Sequence, residues 1–215
     1  MKKIFILSLL FLFAWNCTKA SGQGSVQFVV TGNVHGQLDP CGWKKNPLGG
    51  LSRKLVKVNE FKADGNDPII LDSGDLFFTT KMITSFNRES QKYRAGIMLE
   101  GYEKIGCDAL NVGYFELLLG KDFLMDKVNS TSVPFVSANL RSSETGKLLF
   151  PPYQIVERQN LTVGIVGLTT LVPDTLSGVK VSDHIVAGNN QIKELKDKVD
   201  LIVILINSDR KEHQK

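Results

Sequence analysis

This chain of 215 residues has no run of five like charges, no internal repeat and no low-complexity tract. The basic clusters Lys44-Lys45 and Arg210-Lys211 have no aromatics interleaved between them, which argues against a nucleic-acid partner. The three cysteines, Cys17, Cys41 and Cys107, form neither a Cys-x-x-Cys pair nor a His/Cys metal spacing. No Pro/Gly/Ser linker separates two lobes, so one domain is the expectation. The apolar run at residues 4–14 falls short of the ~20 residues a helix needs to span a bilayer.

That short run has another use. Lys2 and Lys3 precede it, and the combination reads as a signal peptide over residues 1–16. Leu12-Phe13-Ala14-Trp15-Asn16-Cys17 approximates a bacterial lipobox, so a lipid on Cys17 and anchorage in the cell envelope are expected. Residues 17–25 then form a lipidated tether, 26–209 the domain and 210–215 a polar tail. Removing residues 1–16 takes away two lysines and no acid, which lowers the formal charge from +4 to +2. An exported location permits a disulfide between Cys41 and Cys107, and the sequence leaves open whether their Cα atoms lie within reach.

In the remainder, strand-like apolar runs alternate with helical spacing. Strands are predicted at 26–30, 69–71, from 109, at 133–136 and at 201–206, with a hairpin of 153–157 against 161–166. Helices are predicted at 51–61, entered from Gly49-Gly50, then at 86–105, stopped by Gly106, and at 121–128 and 190–198. This alternation means a layered α/β domain.

Several strands end in polar turns. Val30-Thr-Gly-Asn33-Val-His35-Gly, Leu71-Asp-Ser-Gly-Asp75, Gly113-Tyr114-Phe115-Glu116 and the terminal Asn207 follow in that order. With Ser137-Ala-Asn139 and Gly164-Ile-Val-Gly167, they resemble the motifs of bacterial 5′-nucleotidase-like calcineurin-type metallophosphoesterases, from about residue 26 to 207. The resemblance implies an α/β/β/α layered fold. It also implies an incomplete second sheet, because the family builds much of that sheet from sequence beyond the position of Asn207.

The family's chemistry uses two divalent cations (Mn, Zn or Mg) ~4 Å apart, held by carboxylates and imidazoles. Carried over, His35 and Asp75 are unchanged ligand positions. Asn33 stands where an Asp is expected and offers only a carbonyl oxygen. Tyr114 replaces an Asn ligand, Phe115 the catalytic His, and Asn207 a His ligand. Phenyl can neither donate nor accept a proton. No catalytic residue and no cofactor are therefore expected.

Plainer roles are also open to the survivors. His35 would bridge loop backbone, Asp75 would act as a turn or cap residue, and Asp72 would bond a neighbouring loop. Glu116 would be a solvated carboxylate at a helix start, and Gly164 and Gly167 would mark tight packing. The loop carrying Trp43, Lys44 and Lys45 suits a ligand or partner contact, or Trp43 plugs the cleft. The expected function is a membrane-anchored binding or surface-interaction protein. Its partner would be a protein or a small phosphorylated ligand, and a homodimer would cover an open strand edge. The alternative is a residual metal-dependent phosphohydrolase, nucleotidase-like, or a fragment of one.

Overall fold

The computed structural model describes residues 25–42 and 48–208. Cys17, Trp43, Lys44, Lys45 and the polar tail lie outside the described residues. Four parallel strands form the first sheet in chain order: β1 (Phe28–Thr31), β2 (Ile69–Asp72), β3 (Ala109–Asn111) and β4 (Phe135–Val136). Central β2 is buried along its whole length, as its unbroken Ile-Ile-Leu run requires when both faces of a parallel strand are covered. Thr31 pairs with Asp72, Asp72 with Leu110 and Asn111 with Val136, so these strands end at nearly one level. Their exit loops consequently share one rim.

The crossover helices are α1 (Leu51–Ala63), α2 (Arg88–Ile105) and α3 (Lys121–Asn129). They cover one face of the sheet through a core that includes Val58, Met98, Tyr102, Ile105 and Leu124. Gly106 ends α2 in the left-handed conformation at φ 77°, and its amide bonds back to the carbonyls of Tyr102 and Glu103.

A two-stranded ribbon follows, in which β5 (Leu140–Ser142) pairs with β8 (Val179–Val181). The second sheet contains β6 (Tyr153–Arg158), β7 (Leu161–Thr169) and β9 (Leu201–Asn207) in the order β6-β7-β9. β6 and β7 form the predicted hairpin, turned by Gln159 and Asn160 at φ 47° and 66°. β9 joins β7 in parallel as far as the Thr169–Asn207 pair, so the second sheet is more than a hairpin. Ile69, Leu71, Ala109 and Val136 meet Val163, Ile165 and Leu205 between the sheets. α4 (His184–Leu195) packs Ala187 and Leu195 against Val166 and Leu168 on the outer face. The layers are thus helix, sheet, sheet, helix.

Arg158, at the end of β6, clamps the two sheets where β2 and β3 begin. Its guanidinium lies 2.7 Å from Asp108 and 3.3 Å from Asp67. α4 begins six residues before the sequence reading placed it, and β5 and β8 were not predicted at all.

Candidate strand-end site

The loops after β1 and β2 run side by side as a backbone ladder. The amide of Asn33 donates to the Gly74 carbonyl at 2.9 Å, that of His35 to Asp75 at 2.9 Å and that of Gly36 to Leu76 at 2.6 Å. Asn33, His35 and Asp75 all sit in the left-handed region, at φ 53°, 52° and 60°. A residue with a Cβ pays about 1 kcal/mol for that conformation, and the ladder holds it in place. A third loop follows β3. Here Gly113 is required by contact: a Cβ on it would stand 2.6 Å from the Asp75 nitrogen and 2.8 Å from Asn207 Nδ2.

Glu116 organises all of this, contrary to the solvated helix-start role expected for it. It is fully buried in a short 3-10 turn, Phe115–Leu117. Its Oε2 accepts the amides of Asp75 at 2.9 Å and Gly113 at 2.8 Å, and its Oε1 those of Leu76 at 2.6 Å and Phe77 at 3.2 Å. Burial and, after it, the neighbouring Asp75 carboxylate push its pKa up to about 7, against the downward pull of the amides. Asp75 Oδ1 accepts the Phe115 amide at 2.9 Å.

The second sheet reaches the same rim. Asn207, the last residue of β9, accepts the Tyr114 amide through Oδ1 at 3.2 Å. Asn111 donates from Nδ2 to the carbonyls of Leu168 at 2.8 Å and Ser73 at 3.2 Å, and Thr169 donates its hydroxyl to the Val112 carbonyl. Asn139 exchanges hydrogen bonds with the Thr169 backbone at 2.7 and 3.0 Å. Sequence reasoning passed over Asn111 and Thr169 as pins between the sheets. The available signal was a polar residue closing an otherwise apolar buried strand.

The expected metal positions fall around this framework. The rings of His35 and Phe115 lie 4.3 Å apart between centroids. Phe115 is buried, and the Tyr114 ring carries Lys81 Nζ at 4.6 Å from its centre. Asn33 is exposed, at the mouth of a cavity beside α1. Asp72 does bond its own exit loop, accepting the Gly74 amide at 2.9 Å, and it also accepts the Tyr102 hydroxyl at 2.6 Å. Cys41 is exposed, Cys107 is buried, and both are free thiols.

A two-cation centre needs several anionic oxygens and imidazoles turned toward one point. Here Glu116 faces four amides, Asp75 and Asn207 each give an oxygen to an amide, and His35 packs on a phenyl ring. Among the described residues no group of three His, Cys, Asp or Glu could hold a metal ion. These residues do not fit the two-metal group.

No family profile matches the chain. Over 187 residues it is 29% identical to a 5′-nucleotidase of Vibrio cholerae, covering 80% of this chain and 32% of that protein. With the protein UshA of Escherichia coli it shares 30% identity over 146 residues, 65% of this chain and 24% of the relative. The crystal structure of a 5′-nucleotidase precursor from Thermus thermophilus superposes with a TM-score of 0.69 at 27% identity, covering 84% of this chain and 36% of that one. The chain spans about a third of the length of the Vibrio relatives it matches, 30–32%.

Two stacked sheets between helices, with loops converging at the strand ends, define a calcineurin-type metallophosphoesterase fold. Within that class the chain is similar to 5′-nucleotidases in sequence.

Proposed function

We infer that this chain is a binding domain built on a phosphoesterase scaffold, and that a lipid on Cys17 holds it at a bacterial membrane. Its partner is a protein or a small phosphorylated ligand, bound without hydrolysis. The supporting observation is the inward turn of the site. The carboxylates and amide side chain that a metal centre would draw on are already bonded to backbone amides of the three loops. A cation drawn to Glu116 would compete with four amides for its two oxygens, and each buried N–H left without an acceptor costs ~1–3 kcal/mol.

Elemental analysis of the purified protein, with hydrolysis of AMP and an aryl phosphate assayed in added Mn²⁺, tests this. The expected result is no stoichiometric pair of divalent ions and no Mn²⁺-dependent turnover. Two metals per chain with turnover would overturn it. The anchor has its own check, because Cys17→Ala should abolish fatty-acid labelling.

One observation favours a residual nucleotidase-like phosphohydrolase as the second reading. The two unchanged positions, His35 and Asp75, are held side by side by a 2.9 Å backbone bond, and the Vibrio cholerae relative is a 5′-nucleotidase. The same assay decides between the two.

A further inference from the structure

β1 is the outer strand of the first sheet. Beside it a cavity of about 770 Å³ opens between the 32–34 loop, the start of α1 and the flank of α2. Among the described residues its charged lining comes from α1 alone, as Arg53, Lys54 and Lys57, with no Asp or Glu. Gly50, Lys54 and Lys57 recur at helical spacing, so one face of α1 looks into the cavity while Leu55 and Val58 join the core on another.

Lys54 is the unusual member. Its side chain is 13% exposed, and its ammonium donates to the Thr31 hydroxyl at 2.7 Å while lying 3.9 Å from the centre of the Tyr102 ring. The nearest carboxylate, Asp72, is 3.9 Å away, and the Oδ2 facing Lys54 already accepts the hydroxyls of Thr31 and Tyr102. An ammonium has three donors, and a neutral hydroxyl is poor compensation for a buried charge. Burial accordingly lowers the Lys54 pKa more than Asp72 raises it. An anion entering from the cavity would meet a positive charge already held in place. Lys57 stands one turn further on, paired at 2.6 Å with Glu60 in an exposed i,i+3 contact that yields at little cost. Val30, Val34, Leu51 and Met98 supply apolar wall.

We propose that this cavity binds a small organic anion, a phosphate or carboxylate head on an apolar body, with Lys54 and Lys57 taking the head and Val30, Val34 and Met98 the body. Asn33 stands at the mouth of both sites, but Lys54, Lys57, Val30, Val34 and Met98 hold none of the strand-end metal positions, so the proposal is tested separately from metal binding there.

Calorimetric titration of the purified chain with phenyl phosphate, benzoate, inorganic phosphate and benzyl alcohol tests it. Phenyl phosphate or benzoate should bind, with the stronger of the two identifying the head group, and inorganic phosphate and benzyl alcohol should bind at least about tenfold more weakly. Lys57→Ala should weaken binding several-fold, and Lys54→Met should abolish it. Val30→Trp fills the cavity from a position that is 55% exposed, so it should block binding with the melting temperature unchanged. Lys92→Ala, on an exposed face of α2, should leave binding as it is. Failure of both aromatic anions to bind up to about 10 mM, or unchanged binding in Val30→Trp, overturns the proposal. Equal affinity for inorganic phosphate overturns the apolar half of it.

Discussion

Glu116 illustrates how far a single residue can depart from its local reading. An acid two positions into a helical turn looks solvated, because sequence reports the turn and not what converges on it. Only the fold brings the Asp75, Leu76, Phe77 and Gly113 amides onto its two oxygens. Glu116→Gln would aim an NH₂ group at two of those donors, so a loss of ~3 kcal/mol is expected in urea unfolding. An unchanged midpoint would mean that the loops find other acceptors. Cys107 offers a second test at this scale. Burial pushes its pKa up from 9.0 to about 12. The folded value lies above the unfolded one, so the stabilisation is complete below pH about 9 and drains away as pH rises toward 12. At pH 8 a thiol reagent should modify Cys41 promptly and Cys107 only on unfolding; equal rates would contradict the buried placement.

Among the elements, those built from unbroken apolar runs were the legible ones. Ile69-Ile-Leu and Leu161 to Val166 announce buried strands, Leu201 to Ile206 announces a strand that is half exposed, and the order of their terminal loops announced the fold. His184 to Asn189 did not read as helix, because Ile185, Val186, Gly188 and Asn189 are weak helix formers. Tertiary contact decides there, with a Cβ on Gly188 only 3.1 Å from Leu168 Cδ1, and Asp183 caps the turn by accepting the Val186 amide at 2.8 Å. Asp183→Ala should therefore cost about 1 kcal/mol of stability in urea unfolding, whereas Asp183→Ser should cost a few tenths. Equal losses would assign the effect to something other than the cap. The three-residue strands β5 and β8 gave no period to detect, since they exist only through each other.

At the scale of the molecule, both sheets have an open edge strand among the described residues. β1 borders the first sheet and β9 the second. Leu201, Ile204 and Ile206 of β9 are 38–42% exposed, and Ile185 on α4 is 61% exposed. Unpaired backbone beside apolar side chains invites another strand. The purified domain should therefore associate as its concentration rises in light scattering, and Ile204→Lys with Ile206→Lys should return it to monomer. Monomeric wild type across the range would dismiss the edge as a contact surface.

The bond from Tyr114 to Asn207 joins residues 93 positions apart. Such a closure is slow to find, because a long loop must be ordered before the contact rewards it. The Glu116 cage draws only on residues between 75 and 116, and it can form while the rest of the chain is still being made. Assembly of the rim is thus staged. A growing chain completes its central carboxylate cage early, and β9, which emerges later, latches the rim to the second sheet. Refolding followed by the fluorescence of Tyr114 should lag behind the appearance of parallel sheet.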